Sequence, residues 1–388
     1  MACAAWWTAG AAGQVELRGG YVIDAPIVSV SAAGVEVGGE SPRTIGWGAV
    51  KRLGGTHAAS MEPFAAVSDA AWRGRTRLAR GDVGLAAPLF EELYVRYAGG
   101  EGPTALTAAQ GALTCRLARG ERAGALAAWL DAARLRGAGV RSPADPPLRP
   151  VVDSETLLAP ALAPVWLAGS DDAAAAAATA DAALRSAGGP ADGSPARALA
   201  WLFRAAADAE SSRLYGPADA PAWVLASEHE GVRLVSAMVR SRLGSAPGRA
   251  TAREELRGGL TGSGPAWAEA WRRVALGRSL LLEDEHEART DGLIHLAHVA
   301  ARFRSAQPRL AAVALAEMSL ELERRGETGE SASIAAELDG LPGADASRAW
   351  LDRRRAATPA GGPAGRDDQD GDGGRDGDPG ETTTEPHS

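Results

Sequence analysis

The 388-residue chain has only two cysteines, Cys3 and Cys115, one lysine, Lys51, and no asparagine. Two cysteines cannot build the disulfide framework that stabilises small secreted domains, so they leave the redox compartment open. Nearly every cation is arginine, which we interpret as the bias of a GC-rich coding sequence and not as a signal for phosphate recognition. No run approaches the roughly 18 apolar residues that a spanning helix needs, so no membrane span is expected.

Acidic charge is concentrated near one end of the chain. The formal net charge is −8, and residues 359–388 hold eight acids against two arginines, which leaves the remaining residues close to neutral. A neutral body lacks the basic surface that attracts nucleic acid or anionic membranes, so we expect neither as a partner. Residues 356–388 contain almost no apolar side chain and are predicted to form a disordered acidic tail.

Residues 1–14 are uncharged, small and apolar, with an Ala-x-Ala pattern at Ala9 and Ala11. This pattern is typical of the second half of a secretory signal peptide, although the basic residues that open such a signal are missing. We interpret the segment as a leader, either a truncated signal peptide or an uncleaved alanine-rich stretch. A periplasmic or secreted location is favoured, with the cytoplasm as the alternative.

Residues 15–54 consist of short β-rich runs separated by Gly19-Gly20, Asp24, Ala33-Gly34 and Gly38-Gly39. Such punctuation predicts about five strands joined by hairpins, hence a small β-barrel. The order of strands and turns resembles the compact SH3-like and Sm-like barrels. The Sm-like resemblance implies RNA binding, but acids and bases balance over these residues, which favours a packing or interaction module.

Helices are predicted from Pro63 onward, so the fold class is mostly α. Apolar residues recur at helical spacing from 64 to 78 and from 85 to 93, and further helices are predicted near 103–119, 122–136, 171–187, 195–214, 221–243, 249–258, 265–283, 289–304, 308–325, 328–339 and 345–355. A proline-rich stretch over 137–153 separates two helical arrays, at 61–136 and 151–355.

An internal repeat organises the first array. The sequence Leu-Ala-Arg-Gly-Asp at 78–82 recurs 39 residues later as Leu-Ala-Arg-Gly-Glu at 117–121, and Arg-Gly-Glu appears again at 325–327. A glycine in the left-handed conformation ends one helix, and the acid that follows favours the positive N-terminus of the next helix. The repeat therefore predicts helical hairpins.

These hairpins resemble tetratricopeptide repeats. Ala86 and Phe90, and again Ala125 and Trp129, place a small residue and an aromatic one four apart, and Gly74 stands where that family has a closely packed glycine. The period of 39 exceeds the family's 34, and Leu113 stands where the second copy should have its glycine. The resemblance implies that Trp129 fills an interhelical gap, and that residues 151–355 continue as a helical solenoid.

The resemblance also implies a non-catalytic protein–protein interaction scaffold, whose partner is an unknown protein or peptide held on a concave surface. Arg73 and Arg77 flank the apolar stripe of the first helix, and Thr107 and Gln110 take the comparable places in the next hairpin. These four residues are the predicted partner-binding surface.

Two possible metal sites are the alternatives to a non-catalytic scaffold. His286, His295 and His298 suggest a metal-dependent enzyme, although no glutamate base accompanies the histidines. Asp368, Asp370 and Asp372 match the start of a calcium loop whose last acidic ligand is missing. We find no nucleophile elbow, phosphate loop or dinucleotide fingerprint, and we expect no cofactor and no catalytic residue.

Overall fold

The computed structural model describes residues 13–39, 42–141, 148, 151–186, 193–211, 221–262 and 264–357. Helices dominate these residues, and two small antiparallel sheets precede them. None of the helices described is long and apolar enough to cross a bilayer. The leader up to residue 12 and the predicted tail from residue 358 lie outside the described residues.

Six short strands form the N-terminal part: β1 Gln14–Leu17, β2 Val22–Asp24, β3 Ile27–Ser31, β4 Gly34–Val37, β5 Arg43–Ile45 and β6 Val50–Leu53. They pair in two three-stranded antiparallel sheets, ordered β2-β1-β6 and β3-β4-β5. Among residues 13–39 and 42–53 the pairing does not close into the predicted barrel, because β2 and β5 each have a neighbour on one side only. The barrel prediction is thus correct only for two small sheets.

The sheets share a core with the first helices. Trp47 is completely buried and stacks on Phe64 at 4.4 Å between ring centroids. Its backbone N–H donates to Thr104 Oγ1 at 3.0 Å, and the buried Arg75 donates to the carbonyl of Gly48. The sheet module is therefore fastened to the helices by buried hydrogen bonds as well as by apolar contact.

The helices described are α1 Ala65–Ala79, α2 Val83–Tyr97, α3 Gly102–Ala118, α4 Arg122–Gly137, α5 Asp171–Arg185, α6 Pro195–Glu210, α7 Ala222–Leu225, α8 Glu230–Leu243, α9 Ala246–Gly258, α10 Ala266–Leu280, α11 His286–Phe303, α12 Pro308–Arg324, α13 Thr328–Asp339 and α14 Asp345–Ala357. Helices that follow one another in sequence pack as hairpins along most of the chain. The predicted helix at 221–243 is two helices, α7 and α8. In the first turn of α8, Gly231 lies so close to the Thr156 carbonyl that a Cβ there would be only 2.0 Å from its oxygen.

The repeated Arg-Gly-acid sequence forms the same turn three times. Gly81, Gly120 and Gly326 have φ values of 84°, 77° and 80°, in the left-handed region that glycine adopts without strain. In each turn the acid's backbone N–H reaches back to a helical carbonyl five residues earlier, at 2.9 Å. The predicted helix-to-helix turn is confirmed at all three places.

Phe90 explains the closely packed glycines. Its ring is completely buried, and a Cβ added to Gly74 would lie 2.8 Å from Phe90 Cε2. A Cβ added to Gly111 would lie only 2.0 Å from Phe90 Cδ1. The ring is therefore held between the backbones of α1 and α3. The 39-residue offset predicted the second closely packed glycine at position 113, which is Leu113, and the structure has it two residues earlier, at Gly111.

Candidate functional site

The interior of the later helices is occupied by the chain itself. Residues 151–169, called here the internal segment, contain no helix or strand, and most of their side chains are buried. The completely or almost completely buried members are Val152, Leu157, Leu158, Ala159, Leu162, Ala163, Val165, Trp166 and Leu167. A stretch without regular structure is normally a surface loop, because its backbone polar groups need partners. Here the helices supply those partners.

Tryptophan side chains from three distant helices donate to carbonyls of the internal segment. The Nε1–H groups of Trp129 in α4, Trp271 in α10 and Trp350 in α14 bond to the carbonyls of Leu157, Pro160 and Ala168, at 2.8, 3.2 and 2.8 Å. Each indole thus buries its ring and satisfies one orphan carbonyl. The predicted gap-filling role of Trp129 is accompanied by this hydrogen bond, which the repeat pattern does not predict.

Two buried arginines complete the set of donors. Arg122 Nη1 and Nη2 reach the carbonyls of Ala161 and Ala163 at 3.3 and 2.8 Å, and Arg278 Nη2 reaches the carbonyl of Trp166 at 2.9 Å. A planar guanidinium suits this task because it presents several donors in a fixed fork. The internal segment therefore takes the place that a bound peptide occupies in an open solenoid.

The charge of Arg278 is balanced by two glutamates. Glu210 Oε1 accepts from Arg278 Nη2 at 3.0 Å and Glu317 Oε1 accepts from Arg278 Nε at 2.8 Å, while Arg242 also pairs with Glu210 at 2.8 Å. Burial disfavours the Glu210 carboxylate, but the charges of Arg278 and Arg242 outweigh that effect and lower its pKa. This cluster of ion pairs joins α6, α8, α10 and α12, so its role is structural.

One large concavity stays open among the described residues. We name it the arginine cleft, a space of about 1030 Å³ between the sheets and the adjoining ends of α3 and α4. Its apolar wall includes Leu17, Tyr21, Ile23, Ile45, Pro103 and Val140. Its charged groups are Arg43, Arg136 and Arg141, and none of the described residues that line it is acidic. Its size falls at the upper end of ligand sites in proteins.

Arg136 is the best-positioned cation of the arginine cleft. It is half-buried, and with the Gln110 amide oriented to satisfy both partners, Gln110 Oε1 accepts from Arg136 Nε and Nη2 at 3.0 and 2.8 Å. Burial lowers the pKa of the Arg136 guanidinium, and the charge of Asp153 opposes that effect. The guanidinium still carries its charge at neutral pH, because an arginine pKa starts above 12.

The predicted partner-binding residues do not form one open surface. Arg73 is exposed but pairs with Asp69 on its own helix at 3.0 Å, and Arg77 is half-buried. Thr107 and Gln110 are buried, with only 3% and 5% of their surface exposed. They are therefore closed to a partner in this structure, because the face of α3 that carries them packs inside the molecule. Gln110 instead accepts hydrogen bonds from Arg136, one of the residues that line the arginine cleft.

Where they are described, the predicted metal ligands do not gather into one metal-binding group. His286 is exposed, while His295 and His298 are half-buried one turn apart on α11. Burial lowers the pKa of His295, and the charges of Arg273 and Arg257 lower it further. Among the described residues no three His, Cys, Asp or Glu side chains come together in a metal-binding group. Asp368, Asp370 and Asp372 lie outside those residues.

Cys115 is the described thiol, and it is completely buried in α3. Burial raises its pKa to about 11, so the thiol is protonated at neutral pH and is a poor nucleophile. It packs as a small apolar residue.

Sequence reasoning missed the arginine cleft. Arg43 is far along the chain from Arg136 and Arg141, and no motif links them. Comparison of the chain with known protein families, with curated proteins and with solved structures found no match. The functional argument therefore depends on the geometry of this molecule alone.

Proposed function

We propose that the chain is a non-catalytic protein–protein interaction scaffold, and that its partner binds in the arginine cleft. One observation carries the proposal: the interior of the later helical array is filled by the internal segment, whose carbonyls are bonded to Trp129, Trp271 and Trp350. A partner therefore needs another concavity, and the arginine cleft, with about 1030 Å³ of open space, offers one among the described residues.

A tetratricopeptide-like origin of the first hairpins supports an interaction role. The small–aromatic spacing at Ala86 and Phe90, and the contact of Phe90 with two glycine backbones, are the packing that such hairpins use. The two small sheets stand in for the SH3-like module expected from the strand order, left open between β2 and β5. In this proposal the sheets and the hairpins form the binding unit together.

The non-catalytic character is supported by the state of the reactive groups. The Cys115 thiol is buried and protonated. Burial and the charges of Arg273 and Arg257 lower the pKa of His295, and its buried Nδ1 has no hydrogen-bond partner among the described residues to orient the ring. The arginine cleft itself is lined by arginines and apolar groups, with no described acid or histidine to move a proton. Such a lining recognises a ligand and does not transform it.

A site-specific photocrosslinker tests the proposal. Benzophenone placed at Tyr21, which is 73% exposed at the arginine cleft, should give discrete adducts in an extract of the native host. The same group at Leu282, which is 42% exposed after α10, is the matched control and should not give them. Mass spectrometry identifies the adduct, and the purified partner should bind the parent protein better than Tyr21→Ser. Identical adducts at both positions, or none, would refute the cleft as the binding surface.

A further inference from the structure

The arginine cleft lies beside two unpaired sheet edges. β2 and β5 are terminal strands of their sheets. β2 supplies Ile23 to the lining, Tyr21 lies directly before this strand, and β5 supplies Arg43, Thr44 and Ile45. A terminal strand presents backbone N–H and C=O groups that have no ladder partner. The space between the sheets is therefore bordered by donors and acceptors at the spacing of a β-strand.

The β2 edge is unusually open for a natural protein. Edge strands are normally protected by charged side chains, by proline or by a covering element. Here Tyr21 is 73% and Val22 is 56% exposed, and the first charged residue is Asp24 at the end of the strand. Among the described residues no second strand pairs with β2, so its outer edge can serve as a template for another strand.

Charge decides what kind of strand fits. Three arginines face the cleft and no described lining residue is acidic. Although the charge of Asp153 reaches Arg136, the lining as a whole attracts a ligand that carries a carboxylate. Arg136 donates to Gln110 through Nε and Nη2, and its Nη1 takes no part in that contact and is able to donate to a carboxylate oxygen. The apolar wall favours a ligand that also has apolar side chains on alternate positions.

From these three features we infer that the arginine cleft binds an extended peptide with an acidic group, which adds as a strand to the free edge of β2. The peptide backbone pairs with β2, alternate side chains cover Ile23 and Ile45, and the carboxylate meets Arg136. The inference rests on the proposed function, since it names the partner class for the same cleft. It belongs to the known physical mode of recognition by strand addition.

The test uses the full chain and an array of synthetic decapeptides that alternate apolar and polar residues, each made with a free C-terminal carboxylate and as the amide. Carboxylate-bearing peptides should bind, and Arg136→Gln should weaken the best of them by about tenfold, because a hydrogen bond to a charged group is lost. Arg304→Gln, an exposed position on the far helices, is the matched control and should change binding less than about twofold. Arg141→Gln, at an exposed lining position, repeats the test without touching the Gln110 contact.

Backbone pairing has its own signature. Methylation of one peptide amide should abolish binding, whereas methylation of the next amide should not, because successive N–H groups of a strand point to opposite sides. Hydrogen exchange of the 21–24 amides should slow at saturating peptide. Equal sensitivity of neighbouring amides, or unchanged exchange in β2, would overturn strand addition even if the peptide binds.

Other occupants give other results, and each of them overturns the inference. Oligouridylate that binds more tightly than every peptide would assign the cleft to RNA. Protection of the 21–24 amides without peptide would assign it to the chain's own acidic residues if removal of 358–388 abolishes it, or to a second copy if it rises with protein concentration. Failure of the whole array while the Tyr21 crosslink persists would reject the peptide class and leave the scaffold proposal standing.

Discussion

The packing of Phe90 predicts different losses of stability when Gly111 or Gly74 is replaced by alanine. A Cβ on Gly111 would lie 2.0 Å from Phe90 Cδ1 and 2.2 Å from Cε1, whereas carbon atoms in good contact are about 3.5–4.0 Å apart. A Cβ on Gly74 would lie 2.8 Å from Cε2 of the same ring, a clash that a small shift relieves. Gly111→Ala should therefore be much more harmful than Gly74→Ala.

The size of the effect follows from two opposing terms. Overpacking a core costs about 1–3 kcal/mol and occasionally more, and replacing a helical glycine by alanine returns about 1 kcal/mol. Because its clash is the more severe, Gly111→Ala should lower the free energy of unfolding by about 3 kcal/mol, and Gly74→Ala by about 1 kcal/mol. Gly84→Ala, in α2 with no atom near the new Cβ, is the control and should be neutral or slightly stabilising.

Urea unfolding followed by far-ultraviolet circular dichroism measures these differences. Phe90→Leu should rescue part of the loss in the Gly111→Ala background, with a coupling of at least about 1 kcal/mol, since the two residues compete for one space. Equal stability of Gly111→Ala and Gly84→Ala would refute the reasoning, because the ring would then not lie against the α3 backbone.

Three further predictions concern buried groups, and the same unfolding assay measures each. Trp129→Ala should cost about 3–5 kcal/mol, and Trp129→Phe about 1–3 kcal/mol because it mainly orphans a carbonyl of the internal segment; equal costs would mean that the hydrogen bond contributes nothing. Glu210→Gln should cost about 3–5 kcal/mol, since Arg242 loses its carboxylate partner and the buried Arg278 keeps only Glu317. The more exposed Glu323→Gln should cost under about 1 kcal/mol, and a reversed order would contradict the structural role of the Glu210 cluster. The folded-state pKa of His295 lies below its unfolded value, so its contribution to the free energy of unfolding is present above about pH 6.5 and is lost as pH falls. His295→Gln should therefore flatten the decline of the free energy of unfolding between about pH 7.5 and pH 5.5, and an unchanged slope would refute the assignment.

Helix positions could be predicted because they depend on local pattern. The predicted helices near 122–136, 308–325 and 328–339 agree with α4, α12 and α13 within about a residue, since apolar periodicity and the glycine turns at Gly120 and Gly326 are written in the sequence. The offset of two residues between Leu113 and Gly111 has a local cause too. Gly74 lies seven residues before the turn glycine Gly81, whereas Gly111 lies nine residues before Gly120, so a constant period misplaces the glycine.

The internal segment could not be predicted, because its structure depends on distant partners. It has no periodicity, and its alanine- and proline-containing sequence is typical of a surface loop. The donors that bury it come from helices far along the chain, with Trp271 and Trp350 separated from their carbonyls by 111 and 182 residues. The arginine cleft escaped prediction for the same reason, since Arg43 and Arg136 are brought together only by tertiary packing.

These long-range bonds change what a helical array can do. In an ordinary solenoid each repeat contacts its neighbours only, and the concave face stays free for a ligand. Here the internal segment is bonded to α4 through Trp129, to α10 through Trp271 and to α14 through Trp350. Its displacement by an external peptide would break hydrogen bonds at three separated helices and expose its buried apolar side chains. Such an opening amounts to partial unfolding and is far costlier than binding at a surface that already has unpaired strand edges and uncompensated arginines. The proposed placement of a ligand between β2, β5 and Arg136 is consistent with the way in which the chain fills its own interior.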